Sequence, residues 1–267
     1  MLKLQLFRPI LLGLMTLAAG CAGTQTADSV QSLQVDRLRQ QFELPLGVQS
    51  LHVRNPYGEL NIRSMPAGAV GLVAAEQHYG ENGPIPQFDF SVSGEQASLE
   101  VRYPDGAESH PEFDGNPGRV DIALFVPDLA NLNLETVNDR IQVKRYAGSV
   151  TARSTSGNLI VSAAGALDLR TASGNILAMQ IHPDWKGQSR LQSDEGLVNL
   201  LIPEFANARL ESWAQRSLNL DLGERFSISE QHKLRVYGQL GEATGKQPTI
   251  SVSGGDVHIR KLVLLKD

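Results

Sequence analysis

The chain has 267 residues, with 24 basic and 29 acidic side chains, a formal net charge of -5 and 41% hydrophobic residues. These values exclude collagen, long disorder and a multi-span membrane protein. The acidic balance leaves no basic stripe to neutralise phosphates, so a nucleic-acid partner is not expected. Aromatics are only 6% while there are 25 glycines, which points to many turns and a core of small aliphatic side chains.

Lys3 and Arg8 precede an apolar run, Ile10 to Ala19, that ends at Gly20 and the single cysteine, Cys21. A run of about ten residues is too short for a bilayer of roughly 30 Å, which needs about 20 helical residues. It fits the apolar region of a secretory signal peptide. The Ala-Gly-Cys ending resembles a bacterial lipoprotein signal, although Leu17 stands four places before the cysteine and Ala18 occupies the preferred leucine position. The resemblance implies that residues 1–20 are removed and that Cys21 is acylated, anchoring the chain to a membrane. Ala22 implies sorting to the outer membrane of a Gram-negative envelope. An ordinary secreted protein cut after an Ala-x-Ala site is the alternative. Lipidation better explains a cysteine with no partner. Residues 21–39 read as lipidated cysteine plus flexible tether, with a root-mean-square reach of roughly 20 Å for fourteen residues. A short helix over Asp36 to Gln41 is a further expectation.

From residue 40 onward, period-two alternation replaces helical periodicity. Leu51 and Val53 alternate before Asn55-Pro56-Tyr57-Gly58, and Leu60 and Ile62 after it. Phe88/Phe90/Val92, Leu99/Val101/Tyr103 and Val120/Ile122/Leu124/Val126 follow the same rule, each bounded by turn residues. The segment from Pro104 to Gly118 is all turn chemistry and reads as an exposed loop. Residues 40–130 are therefore expected to be a region of antiparallel strands.

Residues 131–267 repeat. Units open at Leu134, Ala152, Leu169, Leu191 and Leu210, with starts 18, 17, 22 and 19 residues apart, and Ile250 opens a sixth, more distant copy. Each is strand, small polar turn, strand. Gly157-Asn158, Gly174-Asn175 and Gly196 mark the turns, where the expectation is positive φ. A unit this short cannot bury its own apolar face, so copies must stack. The fold class expected is all-β, a short-strand β-solenoid or β-roll continuous with the strands before it. Ala152, Leu169, Leu191 and Leu210 should form one inward column. The segments His182 to Gly187 and Leu240 to Pro248 read as inserted surface loops.

The Val53 to Ile62 segment, Ile122 to Pro127, and the STSGNLIV and TASGNILA repeats together resemble the bacterial putative-adhesin family of envelope proteins, over about residues 40 to 264. The resemblance implies a β-repeat fold of unknown function and a place on the envelope. It brings no catalytic residues.

The chemistry in the sequence is sparse. The six histidines are not spaced as metal ligands, and none accompanies a Gly-x-Ser-x-Gly elbow, so no metal, cofactor or catalytic residue is expected. Asp105, Glu108, Glu112, Asp114 and nearby Asp121 hold the oxygen ligands that Ca2+ takes, in a spacing unlike an EF-hand; a solvated acidic loop is the alternative. The repeat aligns Glu135, Arg153, Arg170, Gln192 and Glu211 outward. Arg153 beside Arg170 is unfavourable unless carboxylates or an anion intervene, and two stacked guanidiniums suit an acidic sugar or phosphate. Trp185, on an inserted loop, is a further candidate contact. The reading is a non-enzymatic, lipid-anchored envelope protein whose β face binds or scaffolds a protein or a glycan. The alternatives are a polysaccharide-active β-helix enzyme and a periplasmic accessory or sensor protein.

Overall fold

The computed structural model describes residues 33–65, 69–79, 86–103, 119–243 and 247–262. The expected signal peptide, Cys21 and most of the expected tether lie outside those residues. All described secondary structure is β, in nineteen strands joined in one mixed sheet.

The repeat region builds two parallel ladders. β8 (Asn131–Glu135), β10 (Ser149–Ser154), β12 (Leu167–Thr171) and β14 (Gln188–Ser193) pair in sequence order in the first. β9 (Ile141–Tyr146), β11 (Leu159–Ala163), β13 (Ile176–Gln180) and β15 (Leu197–Pro203) pair likewise in the second. Each rung therefore gives one strand to each ladder, joined by a corner. Two long strands supply a whole rung each. β19 (Thr249–Leu262) pairs with β14 through its first half and with β15 through its second. β16 (Ala208–Asp221) pairs along both halves of β19.

The strands before residue 130 join the same ladders. β2 (Ser50–Arg54) and β6 (Gln96–Arg102) extend the first in parallel, and β3 (Leu60–Ser64) and β7 (Arg119–Val126) extend the second in parallel. The expectation of an antiparallel region is corrected here. Antiparallel pairing is confined to the ends: β1 (Leu33–Glu43) on β4 (Ala69–Tyr79), β4 on β7, and β5 (Gln87–Ser93) on β6. At the other end β18 (Arg235–Leu240) runs antiparallel to β16, and β17 (Phe226–His232) to β18. Alternation specifies a half-buried strand in either direction. Direction is set by the partner, and here the partners come from distant rungs.

Two further expectations are corrected. Residues 36–41, read as tether and a short helix, lie within β1, paired with β4. That pairing satisfies backbone groups that an isolated helix of six residues would leave mostly unpaired. The inward column does not pass from Leu191 to Leu210, because β19 inserts between the β14/β15 rung and β16. The inward column accordingly runs Leu99, Val53, Leu134, Ala152, Leu169, Leu191, Val252, Ser212, and Leu210 instead sits opposite Ile250. All eight members are buried, and the inner faces of both ladders share one apolar core. At the N-terminal end, Phe42 of β1 stacks on Phe90 of β5 at 4.6 Å, tying the second ladder to the first.

The corners fix the register. Ser154, Thr171 and Ser193 occupy one column, and each hydroxyl bonds twice. It accepts the N–H of the glycine three residues on, at 2.8, 3.1 and 2.9 Å for Gly157, Gly174 and Gly196. It donates to a carbonyl of the rung before, Val137, Gly157 and Gly174, at 3.0, 3.2 and 2.7 Å. The asparagines make a second line: Asn158 accepts the N–H of Asn175, and Asn175 that of Leu197, both at 2.8 Å. The glycines do not have positive φ, contrary to expectation. Their cause is close approach. A Cβ at Gly157, Gly174 or Gly196 would stand 2.5, 2.6 and 2.8 Å from the carbonyl carbon of Asp139, Gly157 and Gly174.

Gly174→Ala should therefore destabilise the fold by about 2–3 kcal/mol through overpacking against backbone. Ser193→Ala, which strands a buried N–H and C=O, should lose about 1–3 kcal/mol. Urea denaturation of both against Gly94→Ala checks this. Gly94 has φ +58 but open space around its Cβ position, so only backbone strain acts there, and the Ala variant should lose less than Gly174→Ala. Equal losses at Gly94 and Gly174 would contradict the close-approach cause.

Candidate functional site

The outer face of the first ladder is polar and in register. Its main column runs Glu100, Arg54, Glu135, Arg153, Arg170, Gln192, Ser253, Trp213. Four of the five residues aligned from the sequence are neighbours as read. Glu211 is displaced to the adjacent column, beside Ser251 and Tyr237, because β19 intervenes with its own register.

The two adjacent arginines are reconciled by a residue the sequence reading passed over. Asp168, two residues before Arg170 on β12, accepts from Arg153 Nη2 at 2.6 Å and from Arg170 Nε at 3.2 Å. Partial burial pushes the Asp168 carboxyl up. The hydrogen bond and charge of Arg153, then those of Arg170, outweigh that and hold it below the usual range. The same device recurs along the face. Arg54 pairs with Glu100 at 3.0 Å, Arg102 with Asp89 at 3.0 Å, and His52 Nε2 lies 3.6 Å from Glu135. The column is thus neutralised from within, and Arg153 and Arg170 already share a carboxylate.

Trp185 is placed differently from the reading. It is 4% exposed and packs with the core, so it offers no open ring to a ligand. Its indole N–H has no hydrogen-bond partner among the described residues. Trp213 is the exposed indole, at 41%. Of the acidic loop, Asp105, Glu108, Glu112 and Asp114 lie outside the described residues. Asp121 is engaged structurally: Oδ1 accepts the Glu59 N–H and Arg119, and Oδ2 accepts Gln77. Arg119 also reaches Asp139 at 2.8 Å. Burial lowers the pKa of that guanidinium, but Asp139 and Asp121 more than offset it and raise it above its ordinary value. Among the described residues, no group of three or more His, Cys, Asp or Glu is arranged to hold a metal ion.

The reading missed a pair of adjoining hollows. One, of about 710 Å3, is walled by Trp185, Lys186 and Gly187 on one side and by Gln247, Pro248 and Thr249 on the other. The second, of about 470 Å3, continues over β16 and β18 past Glu211, Ser251, Tyr237 and Gln239. Gln188, Arg209 and Thr249 line both. A signal was present in the sequence. The two inserted segments enter their rungs at equivalent points, since Gln188 and Thr249 are register partners.

No family model matches the sequence, and no curated protein matches it. The fold is shared with a solved structure described as a putative cell adhesion protein from Clostridium sporogenes, at 12% identity and a TM-score of 0.50, over 85% of this chain and 100% of that one. A putative adhesin from Bacteroides fragilis aligns at 11% identity and a TM-score of 0.37, over 85% of this chain and 97% of that one. What the first of these shares with the chain is its all-β fold.

The Asp168 bridge makes a pH-dependent prediction. A carboxyl held low in the folded state stabilises above its unfolded value, about 3.9, and loses that contribution as pH falls through the folded value. Asp168→Asn should cost about 1 kcal/mol at pH 7, the scale of a partly exposed ion-pair network. The gap from wild type should shrink steadily below about pH 4. Thermal melts of both proteins across that range measure it, and a gap that does not change with pH would refute the bridge.

Proposed function

We propose that the chain is a lipid-anchored protein of the bacterial envelope, most simply of the outer membrane, that works by binding rather than by catalysis. In this reading the two ladders are the flanks of a short-strand β-solenoid or roll. The observation that carries the proposal is the outer face of the first ladder: polar residues in register across eight rungs, from the β6/β7 rung to β16, held by ion pairs on one side and a buried core on the other. A flat, internally neutralised face of that length suits an extended partner, protein or glycan, more than a small substrate in a cleft. The cell-adhesion description of the Clostridium sporogenes structure, carried to this chain as part of the proposal, agrees with such a role. The lipobox-like Ala-Gly-Cys at Cys21 supplies the anchor.

Fractionation of cells expressing wild type and Cys21→Ala, with protease shaving of intact cells, tests the address. Wild type should sediment with membranes and the variant should be released. Shaving of the wild type would assign the binding face to external ligands, and protection would assign it to periplasmic envelope partners. A variant that fractionates like wild type would overturn the anchor.

A further inference from the structure

We propose that the paired hollows beside Arg209 form a binding site for an acidic oligosaccharide. This rests on the reading of the chain as an envelope binding protein, and it names both the ligand class and the place. The first support is topological. Trp185, Lys186 and Gly187 lead into β14, Gln247 and Pro248 lead into β19, and the two approaches line one hollow and enter their strands at the paired residues Gln188 and Thr249. Insertions in repeat proteins gather on one face, often the binding face.

The second support is chemical. Lys186 and Arg209 are exposed cations that make no ion pair among the described residues. On the neighbouring column, by contrast, Arg54, Arg153 and Arg170 are all paired. Two cations with no ion pair among the described residues, in one hollow of a chain with net charge -5, call for an anionic ligand group. A guanidinium receives a carboxylate in bidentate fashion, with Lys186 as a second point charge. Around them stand side chains that hydrogen-bond hydroxyls: Gln188, Gln239, Gln247, Ser251 and Thr249 donate and accept, and the Glu211 carboxylate accepts. That mixture suits a ligand with many hydroxyls and an occasional carboxylate.

The third support is geometric. The hollows have volumes within the roughly 300–1,000 Å3 of small-ligand sites. They run across β14, β19, β16 and β18, whose rungs recur about every 4.8 Å, close to the length of one pyranose unit. A glycan crossing the strands would meet Gln188, then Thr249 and Ser251, then Arg209 and Glu211, then Tyr237. Tyr237 offers an aromatic surface, with Arg235 5.8 Å from its ring centre. Trp185, nine-tenths buried in the wall with an unpartnered indole N–H, backs the cationic end.

Calorimetric titration of the full chain with a galacturonic-acid tetramer, and with a glucose tetramer of equal length, tests this. The acidic tetramer should bind saturably and the neutral one at least about tenfold more weakly, a difference of about 1.4 kcal/mol. Replacing both cations, Arg209→Gln with Lys186→Gln, should weaken the acidic tetramer by a similar factor, and Arg153→Gln should leave it unchanged. In a Trp213→Phe chain, Trp185 is the sole indole, and its emission should shift with the same midpoint as the heat. Four results would each overturn the site: no binding to the folded chain, equal binding of both tetramers, binding indifferent to the double replacement, or binding without a Trp185 response. Binding by a chain whose Cys21→Ala variant stays on the membrane would sink the proposed anchor and keep the site. Release of that variant with no tetramer binding would do the reverse.

Discussion

One hydroxyl at each corner holds two rungs together. Ser154, Thr171 and Ser193 each close their own turn on a glycine N–H and reach back to a carbonyl of the rung before. Both bonds are possible only because the glycine leaves no Cβ between neighbouring backbones. If the corner slipped by one residue, every alternating side chain would exchange core for solvent. The corner therefore sets the parallel register, and the register sets which residues share a column. Everything on the outer face follows from that, including the contact of Asp168 with two arginines on different rungs.

The strands, the corners and most of the columns can be read from the sequence, because alternation and the glycine-marked turns are local. What cannot be read is non-local. The Asn55 to Gly58 turn looks local, yet Asn55 donates from its side chain to the Val120 carbonyl 65 residues on, and the strands flanking the turn join parallel ladders. Nothing local says that β19 enters the stack ahead of β16, and that one displacement moves Leu210 and Glu211 out of their expected columns. The glycines are visible but their reason is not, since positive φ and close approach leave the same residue in a sequence.

Trp185 shows how an insertion misleads. Its loop departs from the repeat, which suggests exposure, but the departure bends back and plugs the core with the indole. The functional consequence lies beside it. Lys186, Gln247, Pro248 and Arg209 line the hollows, while the arginine pair that looks reactive in one dimension shares Asp168. Ion pairs bridge neighbouring rungs along the ladder, whereas Lys186 and Arg209, which make no ion pair among the described residues, stand beside the hollows.

Amide hydrogen exchange of the native chain tests the central claim most directly, because it reads the corner bonds without altering them. If the corners fix the register, the N–H groups of Gly157, Gly174 and Gly196 open only with global unfolding and exchange at the slowest rates in the protein. Those of β1 and β17, strands paired on one side among the described residues, should exchange faster. Corner amides that exchange as fast as those edge strands would show that the register is held elsewhere and that the account of the outer face built on it is wrong.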